Sequence, residues 1–270
     1  VSLAASEARR ATNRGRRASR AAAGWVAPAL TFVALLALWH LATLVFGWEV
    51  WLVPSPVDVG RALWEFRDLL PEHTWVTLVE CLAGFLLAVA VGVPLAVLIA
   101  YSRFLERTIY PVLLALNAVP KIAIAPILIL WMGFGYGPKV AVSMLLCVFP
   151  IVISTATGLK STPPELVELA RSLCVSEWDM FRRFRFPAAL PEIFVGLEIA
   201  ISLAVIGAVI GEFVGASQGL GWVITNSGAN VNTSLAFAAM VLLSVLSVVL
   251  FYGLVALERW LVPWARRSEG

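Results

Sequence analysis

Charge is what this sequence has least of. Only 14% of its 270 residues are Asp, Glu, Lys or Arg, against about 25% in soluble domains. That shortfall excludes an ordinary soluble enzyme, a nucleic-acid-binding protein and a disordered chain. The three cysteines, Cys81, Cys147 and Cys174, are an odd number spaced far apart, so neither a disulfide framework nor a thiolate metal site is expected. Histidine occurs only at His40 and His73, too few for an imidazole-built metal centre. No Gly-rich loop ending in Lys-Ser or Lys-Thr is present to cradle nucleotide phosphates. No His/Asp set with a positioned nucleophile stands out, so no catalytic residue is assigned.

Apolar residues make up the balance, at 60% of the chain, and so large an apolar share must hide in lipid. Six stretches reach the roughly 20 residues that a helix needs to cross a bilayer. They lie near 25–46, 76–100, 108–132, 140–159, 189–212 and 235–257. Lipid offers the backbone no hydrogen-bond partner, and the stretches lack the alternation of barrel strands, so each reads as a helix. The first is too long for a signal-peptide core of about 7–15 residues and reads as a true span. The expected fold is an all-α integral membrane protein. Residues 1–24 are expected to form a cytoplasmic basic tail, either a plain orientation signal or a segment touching anionic lipid headgroups, 25–260 the six-span domain, and 261–270 a second short cytoplasmic tail.

The loop charges orient this domain. With the N-terminus inside, the internal segments hold Arg9, Arg10, Arg14, Arg16, Arg17, Arg20, Arg103, Arg107, Lys160, Arg171, Arg182, Arg183, Arg185, Arg259, Arg266 and Arg267. The external segments hold only Arg61, Arg67 and Lys139. Such asymmetry is the positive-inside pattern, with both termini cytoplasmic.

Two loops carry structure of their own. In the external one, 47–75, Asp58 is placed to cap a short helix whose Ala62, Leu63 and Phe66 share a face. Trp48, Trp51 and Trp64 would anchor it at the interface. The internal loop, 160–187, holds two helix starts. Thr162 is expected to cap the first, with Pro163 at N1 and Glu165 at N3. Ser176 caps the second, which carries Trp178, Phe181 and Phe184 until Pro187 breaks it. The result is a two-helix knob presenting apolar and aromatic side chains to a cytoplasmic partner, able to pass motion into spans four and five. Nothing in the chain powers that motion.

The stretch Glu168-Leu169-Ala170-Arg171-Ser172-Leu173-Cys174, nine further residues, then Phe184-Arg185-Phe186-Pro187 resembles the E-A-A-x3-G-x9-I-x-L-P signature of the permease subunits of binding-protein-dependent ABC importers. More narrowly, it resembles the nitrate/sulfonate/taurine-type permeases. Supporting stretches include Pro54-Ser55-Pro56, Pro120-Lys121-Ile122-Ala123 and Pro187-Ala188-Ala189-Leu190-Pro191. Cys174 stands where the signature has glycine. A glycine there permits positive φ and a cysteine does not, so the turn either avoids that region or carries strain. The thiol itself reads as buried and neutral.

The resemblance implies the type I ABC importer permease fold, in the bacterial inner membrane. Two permease copies, most simply a homodimer, would join two cytoplasmic ATPase subunits that bind ATP and Mg, and an external binding protein would deliver the solute. Glu168, Ala170, Cys174, Ser176, Trp178, Phe181, Arg182, Phe184 and Pro187 would couple the permease to the ATPase. The implied cargo is an oxyanion such as an organosulfonate, taurine or nitrate, with bicarbonate and pyrimidine-type vitamin precursors as alternatives. An autonomous secondary transporter or channel is the competing reading.

Polar residues inside the apolar runs supply the path candidates. Lys121, costly in hydrocarbon, is either an attractive charge on the path or one half of an ion pair. Asn117 is four residues earlier on the same helix face. Ser143 and Ser202 are weaker candidates, and Glu212 is placed at the path or a gate. Glu80 and Glu212 are both expected to be partly wet, near the outer ends of their spans. The charge-free stretch with Gly215, Gly219, Gly221 and Gly228 reads as a tight excursion, either part of a gate or an interfacial turn.

Overall fold

The computed structural model describes residues 26–265; the basic tail expected at 1–24 lies outside them, as do residues 266–270. The chain is almost wholly helical. Helix α1 spans Val26–Phe46, α2 Pro56–Glu65, α3 Leu70–Tyr101, α4 Arg103–Ala118 and α5 Lys121–Met132. Then follow α6 Tyr136–Lys160, α7 Pro164–Ser172, α8 Glu177–Met180, α9 Phe186–Gly215, α10 Leu220–Ala229 and α11 Thr233–Leu261.

Helices α1, α3, α6, α9 with its extension, and α11 are long and apolar enough to cross a membrane. The third expected span is not one helix: α4 and α5 meet at an angle of 93°. Pro120 has no N–H to continue α4 and forces Val119 out of helical geometry, to ψ 131°. Counted as one bent crossing, this pair gives the sixth span.

The core is a three-helix seam, with α6 packed between α3 and α9. Lipid is as apolar as leucine, so close packing and interhelical hydrogen bonds hold such a seam together. Ala200, Ala204 and Ala208 recur every four residues on α9 and are fully buried. Gly84 and Gly207 both face Ser143, where an added Cβ would collide. With the backbones that close, Ser143 Oγ donates to Ala204 O at 3.0 Å and Cys147 Sγ to Ala200 O at 3.1 Å. Cys81, Phe85, Ile151 and Ile201 fill the remaining space.

Helix α1 stands apart, with only 6% of its apolar window buried; Trp39 meets Phe237 of α11 at 5.9 Å between ring centroids. Helix α2 lays Val59 and Ala62 against Ala238 of the same helix. Its cap is Ser55 rather than Asp58. Asp58 is the N3 partner in a capping box, accepting from Ser55 Oγ at 2.6 Å while its own N–H reaches Ser55 Oγ at 3.3 Å. The Ser55 hydroxyl, chiefly, holds the Asp58 carboxyl below its ordinary range.

Candidate functional site

The helix boundaries within 160–187 differ from expectation in two ways. Thr162 does not cap: its Oγ1 is buried without a hydrogen-bond partner, and α7 starts one residue later at Pro164. Two successive prolines leave no N–H at the first positions for the hydroxyl to meet. Pro187, in turn, does not end the second helix. Residues Phe181–Arg185 form a π-type turn, the Phe186 N–H bonds to Phe181 O, and α8 runs on into α9 as a single helix from Glu177 to Gly215. The widened turn absorbs the proline ring and its missing donor. The knob therefore has one free helix, α7, and one that is the end of the fifth span.

The cap on α8 is as expected: Ser176 Oγ accepts from the Asp179 N–H at 3.1 Å. Trp178 is 67% exposed. Phe181 sits among Trp178, Phe186 and Tyr101, at 5.8, 5.7 and 5.9 Å between centroids, and Arg185 lies over the Tyr101 ring at 5.2 Å. Ala170 is buried, Glu168 and Arg182 are exposed, and Phe184 and Pro187 are half-buried. Cys174 adopts φ 53°, so the turn keeps the left-handed conformation that glycine would favour. The thiol is exposed, contrary to expectation, because a left-handed residue past a helix end points its side chain away from the turn.

Asn117 and Lys121 come together although the helix breaks between them. Lys121, the first residue of α5, folds back over the end of α4 and donates to Asn117 Oδ1 at 2.6 Å and Asn117 O at 3.3 Å. A cation is favoured there, against the orphan carbonyls of a helix C-terminus. Both residues line a cleft of about 420 Å³ with Leu146, Phe149, Ile199 and Leu203. Both also border a second, smaller cleft. Ser202 bonds its own helix at Glu198 O, 3.3 Å away. Ser143, expected on the path, is enclosed in the seam instead.

A third group of residues sequence reasoning largely missed. Lys139, expected in an external loop, lies in the first turn of α6, 6% exposed, with its Nζ 2.6 Å from Glu80 Oε1. Glu80 and Glu212, expected to be partly wet, are 0% and 1% exposed. Glu212 Oε1 accepts from Thr77 Oγ1 at 2.7 Å and Oε2 accepts from the Gly221 N–H. The neighbouring donors of the α10 N-terminus are also taken: Gly219 N–H by His73 Nδ1 at 3.0 Å and Leu220 N–H by Thr77 Oγ1 at 2.8 Å. The glycine-rich stretch is thus a buried helix start held by α3 and α9. The intramembrane Glu80 was the one signal that a basic partner existed; nothing local in the sequence marked Lys139, 59 positions away, as that partner.

The family model described as "Binding-protein-dependent transport system inner membrane component" matches residues 92–267, more than half of the chain. The chain belongs to this family. It is 36% identical to the formylaminopyrimidine transport permease protein ThiX of Halalkalibacterium halodurans, over 89% of this chain and 96% of that one. It is 31% identical to the putative aliphatic sulfonates transport permease protein SsuC of Escherichia coli, over 88% and 92%. A solved MetNI methionine ABC transporter, in an inward-facing conformation, shares the fold with a TM-score of 0.65 at 21% identity, covering 72% of this chain and 97% of that chain. This importer permease thus carries its family signature on α7 and on the extension of α9.

Proposed function

We propose that this permease carries a small organic solute across the inner membrane as one of two identical copies, driven by ATP and Mg bound to a separate pair of cytoplasmic ATPase subunits and supplied by an external binding protein. Both termini, and with them residues 160–187, face the cytoplasm; the loop charges support this orientation. The continuity of α8 with α9 carries the reading. A partner that grips exposed Trp178 moves the fifth span with it, because no hinge separates the two. Glu168, Arg182 and Phe184 border the same handle, and buried Met180 and Ala170 keep it rigid.

The Lys121 cleft supports the solute class. An ammonium, one amide and the Ser154 hydroxyl in a mainly apolar lining suit an organic anion with an apolar body, such as an organosulfonate. Nitrate or bicarbonate would lose hydration there and gain little in return. A pyrimidine-type solute is the second reading, favoured by the greater identity to ThiX than to SsuC.

Copurification of the coexpressed transporter subunits tests the reading. The ATPase is expected to copurify with the wild-type permease and to lose affinity about 30-fold or more with Trp178→Ala, as for an interface hot spot of about 2 kcal/mol. No association with an ATPase, or solute flux in proteoliposomes without one, would refute it and favour an autonomous transporter.

A further inference from the structure

We infer that Glu80 and Glu212 bind one proton between them, with Glu80 as its carrier, so that the buried cluster they form with Lys139 is electrically neutral. This is a proton site at the junction of α3, α6, α9 and α10, and it stands independently of the transport reading.

The hydrogen-bond inventory assigns the proton. Both oxygens of Glu212 face donors: Oε2 accepts from the Gly221 N–H at the positive end of α10, and Oε1, at 2.7 Å, is the nearer of two acceptors for the Thr77 hydroxyl, the other being His73 O at 3.1 Å. A carboxylate is the form that such donors and that dipole favour. Glu80 differs. Its Oε1 accepts from Lys139 Nζ, but its Oε2 is fully buried and meets no donor. Glu80 lies one turn along α3 from Thr77, which bonds Glu212, and Gly211, next to Glu212, packs on Lys139; two ionised carboxylates brought this close have no proton to bond through. A proton on Glu80 Oε2, donated to Glu212, satisfies the one orphaned oxygen in the cluster.

Charge counting agrees. Two carboxylates and one ammonium leave a net negative charge where all three side chains are at most 7% exposed. Buried charge of that kind neutralises by taking up a proton. Among the described residues no other side chain supplies a positive charge here. From α3, His73 uses Nδ1 as an acceptor for Gly219 N–H and is neutral. From α6, Tyr136 presents its ring to the Lys139 ammonium at 5.5 Å. Helix α10 carries no ionisable residue at all. Glu212 is packed tightly against the start of α10, where a Cβ at Gly219 or Gly221 would collide with its side chain.

Infrared spectroscopy of the purified complex at neutral pH tests this. The wild type is expected to show the C=O stretch of a protonated carboxylic acid, shifted in D2O and absent in Glu80→Gln. Glutamine copies the protonated acid, with a carbonyl for Lys139 and an N–H for Glu212, so this variant is expected to melt within a degree or two of the wild type. Glu212→Gln is expected to remove the same band, because Glu80 then ionises against Lys139. A wild-type spectrum without any protonated-carboxyl stretch, or one whose band survives both substitutions, overturns the proposal.

Discussion

The Val175 N–H reaches back to the Ala170 carbonyl at 3.1 Å, closing the end of α7 around Cys174. A bond of that span, with the residue before the donor in the left-handed region, is the helix stop normally built on glycine. The chain keeps the geometry and puts a side chain in it. The left-handed conformation costs a non-glycine residue about 1–2 kcal/mol.

Cys174→Gly is therefore expected to stabilise the 160–187 segment by about 1 kcal/mol. Hydrogen exchange at the α7 amides would register this as stronger protection. Unchanged or weaker protection would show that the conformation carries no strain. The exposed thiol gives a second check, since it should label with a maleimide while buried Cys81 and Cys147 do not.

Gly219 has φ +109°, and a Cβ there would run into the Glu212 carboxylate. Gly219→Ala is expected to destabilise the permease by about 3 kcal/mol or more, adding backbone strain to a broken buried hydrogen bond. Gly228, also on the α10 segment, has open space around its Cα. Gly228→Ala should be neutral or stabilising by up to about 1 kcal/mol. Thermal unfolding of the two variants in detergent separates them, and similar melting temperatures would sink the argument.

Much of this arrangement was legible in the sequence, for a reason that also explains what was not. Spans follow from hydropathy and the Ser176 cap from a four-residue pattern, and both are local. Val119-Pro120 also marks a helix boundary locally, yet the apolar run continues on either side and hides it. Thr162 followed a local rule that the double proline defeats. The pairing of Glu80 with Lys139 joins helices far apart in the chain, and it exists only once the glycines facing Ser143 and Lys139 let the backbones close.

The α2 cap links stability to pH. The Asp58 carboxyl lies below its ordinary range because Ser55 bonds to it. A group depressed in the folded state adds stability that is full above its unfolded pKa and is lost as pH falls through the lowered one. Ser55→Ala should cost about 1 kcal/mol near neutrality and less in acid, where Asp58 is protonated in any case. A cost independent of pH would contradict the cap.

Lys121 decides the solute reading. Its ammonium already has neutral partners in Asn117, so Lys121→Met removes a charge without stranding an ionised one, and the fold should tolerate it. If an organosulfonate passes this point, the lost charge-assisted contact, about 1.5–3 kcal/mol, should slow uptake of that solute about 10- to 100-fold. ATP hydrolysis without solute should stay as it was, because the substitution leaves the proposed handle on α8 and α9 untouched. Reconstituted complexes loaded with the binding protein would read both quantities. Uptake at the wild-type rate would take Lys121 off the path and leave the pyrimidine-type solute, which needs no counter-charge, as the better reading.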